Sequence, residues 1–337
     1  MLKSFLLIAW RNILKNKVFT LINIFGLSVS MSICLLIILL VYDHYSFDKH
    51  HEKGDRIYRL NSYVQGEQSF LGESGYATSP LPFAGELEDK YSWIEQSCNF
   101  NSSLEGEIRS ENKILNIENG LYSDNSFFEI FDFELEIGNE KHALSEPYSI
   151  VLSAQLAKKL FPDSSPLGES IEMTELGTYK VTGVLNESQN KSHIQFEALA
   201  SINTIPNLVE KEVFSESYNS WSNIWSNYNY FLLKDPSYKS EMEELCNALG
   251  NEMVNSSNDD HPGYFFELQN IRNVALGPLL SNEIGHFLPR IALLFFALLG
   301  MIVIITASIN FTNLSVAQSL SRIKEVGIRK TAGSTKW

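Results

Sequence analysis

Two uncharged stretches constrain this 337-residue chain more than any other feature. Leu21 to Val41 reads LINIFGLSVSMSICLLIILLV, and Ile291 to Phe311 reads IALLFFALLGMIVIITASINF; each runs 21 residues without a charge. At about 1.5 Å per residue, a helix of that length crosses about 30 Å of hydrocarbon. A closed helix also satisfies its own backbone polar groups in lipid. Both stretches are therefore expected to span a membrane. The whole-chain values, 44 % hydrophobic and a net charge of −14, describe a soluble acidic protein only because they average these stretches with a polar middle.

Lys and Arg set the orientation. Lys3, Arg11, Lys15 and Lys17 precede the first stretch with no acid among them. Arg322, Lys324, Arg329, Lys330 and Lys336 follow the second, opposed only by Glu325. Each flank carries +4, which leaves −22 for residues 21 to 309. The positive-inside rule then places both termini in the cytoplasm and the intervening segment outside. The alternative for the first stretch is a cleaved signal peptide. Its apolar run is long for that role, and Val41-Tyr42-Asp43-His44-Tyr45 offers no small-x-small cleavage site. Bulk acidity argues against nucleic acid as a partner.

Phe5, Leu6, Ile8, Ala9, Ile13 and Leu14 alternate with basic residues in segment 1–20. They suit an amphipathic helix lying on anionic membrane lipid, or a plain extension of the span. Gly26, Ser28, Ser30 and Ser32 in the first stretch, and Gly300, Ala307 and Ser308 in the second, permit close helix contact.

The outer segment mixes patterns in an order that predicts an α+β domain inserted between two transmembrane α-helices, with the possibility of two subdomains. Strands are expected at Arg56–Val64, Ser149–Leu152, Asn229–Lys234 and Phe265–Ile271, and a moderate alternation marks Ile114–Tyr122. Ser170–Thr174 and Tyr179–Leu185 read as a hairpin around Gly177. Helices are expected over Pro82–Tyr91, over Ala154–Phe161 capped by Ser153 and stopped by Pro162, and from Ser237 to about Asn255. Asn186–Ser192 and Asn255–His261 read as polar loops. Cys98 and Cys246 both lie outside and are a candidate disulfide pair; Cys34 lies in the first stretch.

Chemical motifs are scarce. GxxxxGK[ST], HExxH, CxxC and GxSxG are all missing from the sequence, so no cofactor or metal site is assigned. Asp43, His44, Asp48, His50 and His51 form a tempting ligand cluster, but their spacing matches no closed metal site and suits a wet segment leaving the membrane. Asp259-Asp260-His261 reads as a solvated loop. Trp221, Trp225, Tyr228 and Tyr230 suit a strand edge packing into the core better than a ligand platform. After the second stretch, Val316, Leu320, Ile323 and Val326 or Gly327 recur at helical spacing among basic residues. A stop-transfer helix with snorkelling cations and a docking element for a cytoplasmic protein both fit.

Asn310-Phe311-Thr312-Asn313-Leu314-Ser315, then Arg322-Ile323-Lys324-Glu325-Val326-Gly327-Ile328-Arg329-Lys330 and Gly333, resemble the motif at the inner end of the second membrane helix of FtsX-like and MacB-like ABC transporter permeases. Ala9-Trp10-Arg11-Asn12-Ile13-Leu14-Lys15-Asn16-Lys17 and Asn23-Ile24-Phe25-Gly26-Leu27 are similar to that family's N-terminal motif. Ser46-Phe47-Asp48, Asp55-Arg56-Ile57-Tyr58-Arg59, and Val151-Leu152-Ser153 through Pro166-Leu167-Gly168 resemble its periplasmic core domain, in the Bacteroidetes style.

The resemblance implies a non-catalytic membrane subunit of the MacB, FtsX or LolE type in a bacterial inner membrane. Its parts would be an amphipathic segment 1–20, spans at 21–42 and 289–311, a periplasmic domain at 43–288 and a cytoplasmic coupling segment at 312–337. Arg322, Lys324, Glu325, Gly327, Ile328, Arg329 and Lys330 would dock a separate cytoplasmic ABC ATPase, with Gly327 allowing close backbone contact. A second permease, as homo- or heterodimer, and a periplasmic adaptor would complete the assembly. Family members have at least four spans, so a continuation beyond Trp337 is expected. The rival reading is a two-span sensor with an outer ligand-binding domain.

Overall fold

The computed structural model describes residues 17–69, 72–110, 113–186, 191–253, 263–285 and 287–332. It divides into two compact units: His44–Ile291, and Met1–Asp43 together with Ala292–Trp337. Most of the expected amphipathic segment 1–20, and Asp259-Asp260-His261, lie outside the described residues.

The first helix, α1, runs Lys17–Tyr45. The unit that follows holds β1 (Ile57–Ser69), β2 (Gly72–Tyr76), α2 (Phe83–Glu88), β3 (Ile94–Asn101), β4 (Gly106–Ser110), β5 (Lys113–Ile117), β6 (Gly120–Ser123) and α3 (Ser126–Ile130). Next come β7 (Leu135–Gly138), β8 (Ser149–Leu152), α4 (Ala154–Leu160), β9 (Ser170–Met173), β10 (Gly177–Leu185), β11 (Ala198–Ser201) and α5 (Ile205–Glu210). It closes with β12 (Asn227–Leu233), α6 (Lys239–Met253) and β13 (Tyr264–Asn270), before the last helix α7 (Arg290–Thr331).

One sheet holds all 13 strands, in the order β13-β1-β12-β3-β6-β11-β8-β10-β9-β4-β5, with β2 added on β1 and β7 on β10. Among the described strands, β10–β8 and β11–β6 pair in parallel and the other strand pairs are antiparallel. The sheet is therefore mixed, as in an α+β fold. Local signals place several elements well. Ser153 Oγ accepts the Leu156 N–H at 3.2 Å and starts α4, which ends one residue before Phe161 and Pro162. β9 and β10 form the hairpin around Gly177, whose φ of +98° is costly for any other residue.

Tyr228 and Tyr230 pack into the core as the aromatic run suggests: β12 lies between β1 and β3, and all seven of its residues are buried. Its asparagines are anchored there, although Asn229 Oδ1 has no hydrogen-bond partner among the described residues: Asn101 Nδ2 donates to Asn227 Oδ1 at 2.7 Å, and Asn229 Nδ2 donates to Ser79 Oγ at 2.8 Å. Trp225, just before the strand, is exposed. Cys98 and Cys246 are both buried free thiols in different hydrophobic clusters, so the candidate disulfide is not formed.

The domain core is aromatic. Phe100, Phe127, Phe131 and Tyr230 meet with ring centroids 5.0 to 5.7 Å apart. A second cluster gathers around Leu152, Ile171, Val181 and Ile205, and a third around Phe83, Phe231, Met242 and Phe266. Each fully buried large apolar side chain contributes about 1.5–3 kcal/mol, enough to offset a buried polar group only if that group is hydrogen-bonded.

In the other unit the two helices touch through small residues. A Cβ placed on Gly26 would sit 3.6 Å from Asn310 Nδ2, and one on Gly300 would sit 3.6 Å from Ile37 Cδ1. Ser30, Thr306, Ser308 and Thr312 each donate to the carbonyl four residues back at 2.8 Å, so their hydroxyls need no water. The most apolar windows of both helices have none of their residues buried by protein.

Candidate functional site

The residues expected to dock a partner lie on α7. This helix is uninterrupted for 42 residues, about 63 Å at 1.5 Å per residue. Its apolar part, Arg290–Asn313, uses only about half of that length, and the remainder carries Arg322, Lys324, Glu325, Gly327, Ile328, Arg329 and Lys330. Helical geometry puts the positions of Arg322, Glu325 and Arg329 on one face at i, i+3 and i+7. Leu320, Ile323 and Ile328 are all more than 60 % exposed, and a Cβ on Gly327 would meet nothing within 4 Å. Two motif residues far apart in sequence, Gly26 and Asn310, are brought into contact.

A second site has no signature in the sequence. Asp48 and His51, which read as part of a wet segment, are completely buried. Asp48 sits three residues past the end of α1 with φ +57°, a left-handed conformation that Asp tolerates better than most residues. Its N–H donates to Lys191 O at 2.8 Å. Its carboxylate accepts Ser192 Oγ at 2.6 Å, the His193 N–H at 3.2 Å and His193 Nδ1 at 2.8 Å. His51 Nε2 is 3.6 Å away, and His51 Nδ1 accepts the Asp132 N–H at 3.2 Å. Burial drives the Asp48 carboxyl upward, but His193 and the hydrogen bonds from His193 and Ser192 outweigh it, holding the group well below the usual carboxylate range.

His193 continues the chain. Its Nε2 lies 2.9 Å from the Tyr230 hydroxyl, on β12. Tyr230 pairs directly across the sheet with Arg59 of β1, which sets the two side chains beside each other. Arg59 is fully buried and grips Glu283 in bidentate fashion, Nη1 to Oε2 at 2.6 Å and Nη2 to Oε1 at 2.8 Å. Its remaining donors reach Asn61 Oδ1 and Gln269 Oε1, both at 2.9 Å. The partners suit the Nδ1–H tautomer of His193: Tyr230 donates to His193 and His193 to Asp48. Burial raises the Tyr230 phenol strongly, which keeps it a donor. Among the described residues, no three His, Cys, Asp or Glu side chains are placed to hold a metal ion. Asp48 and Arg59 lie in stretches that resemble the periplasmic core domain, but no sequence signal links them to His193, Tyr230 or Glu283.

These features define a class: an extracytoplasmic α+β domain carried between two apolar helices of spanning length. Residues 20–244 match the MacB-like periplasmic core domain, and the chain belongs to that family. Among solved structures, a domain of a protein from Porphyromonas gingivalis assigned as a permease is similar at 18 % identity and TM-score 0.53, covering 69 % of this chain and 97 % of that one. The periplasmic region of MacB from Actinobacillus actinomycetemcomitans is similar at 15 % identity and TM-score 0.40, covering 62 % and 87 %. The extracellular domain of the ABC-type transporter YknZ from Gram-positive bacteria is similar at 13 % identity and TM-score 0.44, covering 64 % and 100 %. The first of the three carries the fold comparison. No curated protein matches the chain.

Proposed function

We propose that the chain is the non-catalytic permease subunit of an ABC transporter of the MacB, FtsX or LolE type, coupling ATP hydrolysis on a separate cytoplasmic chain to movement of its outer domain. In this reading residues 21–42 and 289–311 cross the inner membrane, 43–288 face the periplasm and 312–337 meet the ATPase. A second permease, identical or related, faces it in the membrane, and a periplasmic adaptor receives the movement. The output is efflux, lipoprotein release or envelope signalling.

The observation that carries this reading is α7. A single helix joins the apolar stretch to the basic segment with no intervening loop, Pro or kink-forming pair. Force applied around Arg322 to Lys330 therefore travels along a stiff rod. Arg322 and Arg329, with Glu325 between them, give that helical face a net positive charge suited to a mainly acidic groove on the ATPase, and the open space at Gly327 suits close approach of its backbone. The test is co-purification of a co-expressed ABC ATPase from the same organism with an Arg322→Glu, Arg329→Glu double variant. Association is expected to fall at least ten-fold, whereas Lys158→Glu in the outer domain should leave it intact. Unchanged capture by the double variant would overturn the assignment.

A further inference from the structure

The buried polar chain described above joins two places that matter mechanically. The segment after α1, residues 46–56, is the leading root of the domain; the segment before α7, residues 281–285, is its trailing root. Asp48 belongs to the leading root and Glu283 to the trailing one. Between them stand His193, Tyr230 and Arg59, the last two as direct cross-strand neighbours, and all five side chains lie inside the protein.

Other contacts hold each root to the domain separately. Glu52 N donates to Asp132 Oδ2 at 2.7 Å and Lys53 Nζ to Glu129 O at 3.1 Å. Ser281 N donates to Gly75 O at 2.9 Å, and Asn282 O accepts the Tyr228 hydroxyl at 2.8 Å. None of these joins one root to the other. His193 does so twice, because Gly285 packs against its carbonyl so tightly that an added Cβ would lie 2.3 Å from His193 O.

We propose that Asp48, His193, Tyr230, Arg59 and Glu283 form a coupling latch that ties the two roots to each other through strands β1 and β12, so that displacement of either is felt at the other. The physical basis is the cost structure of buried charge. A buried ionic chain gives little net stability over apolar packing of the same volume, yet losing one member strands the others without partners. Such a chain holds as a unit or releases as a unit, which makes it poor cement and a good two-state connector. Asp48 is held in a left-handed conformation, so release lets the backbone relax. The latch deepens the permease reading by naming where pull on the spans enters the sheet.

The test is hydrogen exchange on the full chain in lipid nanodiscs. Asp48→Asn is expected to speed exchange in the trailing root, at the Ser281 amide, at least ten-fold, although it touches nothing there. Glu283→Gln should do the same at the Asp48 and His193 amides, and the double variant should be no faster than the faster single, since linkage is reciprocal. Tyr230→Phe removes one hydroxyl from the middle of the chain and should free both roots; it decides the matter if the charged variants fail to fold. Tyr122→Phe, which breaks the buried Tyr122–Tyr179 hydroxyl pair at 2.9 Å, is the control and should free neither. Variants that loosen only their own root, effects that multiply in the double, or a control that matches Tyr230→Phe would each overturn the latch. ATPase capture is read separately, so lost docking and lost coupling remain distinguishable.

Discussion

Buried ionisable side chains give this domain its pH response. His50 is half-buried, with its ring centroid 3.9 Å from that of His51 and its Nδ1 shielded without a hydrogen-bond partner. Burial first, and then the neighbouring His51, lower its pKa to about 4. The unfolded chain therefore binds more protons than the folded one between about pH 6.5 and pH 4. Stability is expected to be fully present above that window and to decline as pH falls through it. The slope is at most about 1.4 kcal/mol per pH unit for one proton, and smaller here because solvent reaches part of the ring. Asp48, held low by its partners, extends the loss below pH 4, while Asp124, raised by burial, opposes it just above. The readout is the difference in denaturant midpoint between wild type and His50→Gln from pH 7 to pH 4, followed by tryptophan fluorescence. A wild-type profile parallel to that of the variant would refute the assignment.

Among the elements, the edge strand β13 shows how side chains replace a missing neighbour. Its inner edge pairs with β1, and α6 closes the outer one. Asn247 behaves like one residue of an extra strand: its Nδ2 donates to Phe266 O at 2.8 Å and its Oδ1 accepts the Phe266 N–H at 2.9 Å. Glu243 Oε1 accepts the Leu268 N–H at 2.9 Å. An open edge of that length invites pairing with another chain. Asn247→Ala strands both backbone groups of Phe266, so a loss of about 1–3 kcal/mol is expected, accompanied by association. Denaturant unfolding and light scattering of the full chain in detergent measure the two effects. A change below about 0.5 kcal/mol with no association would show that water closes the edge equally well.

The molecule as a whole is organised by its two exposed apolar helices, and the proposed orientation has a direct consequence. Native thiols give little background, because Cys98 and Cys246 are buried and Cys34 lies in α1. A cysteine at Leu167, which is 47 % exposed in the outer domain, is expected to react with a membrane-impermeant maleimide in intact spheroplasts. A cysteine at Thr331, at the end of α7, should react only after permeabilisation. Labelling of Thr331→Cys in intact spheroplasts would reverse the topology and remove the docking proposal with it.

Periodicity and charge are local properties, so the order of residues along the chain carries them directly. The uncharged runs mark both long helices, the Lys and Arg asymmetry supplies the expected orientation, and Ser153, Gly177 and Pro162 mark turns and caps within a residue or two. Sheet order is set by pairing between distant segments, and no local pattern reports it. That is why a strand is legible at Asn229–Lys234 while its place between β1 and β3 is not. The same reason hides the latch. Asp48 beside a membrane helix looks like a solvated carboxylate until the fold brings His193, Tyr230, Arg59 and Glu283 around it. Burial of a charge depends on partners that sequence neighbours cannot supply, and those partners come from separate segments of the chain.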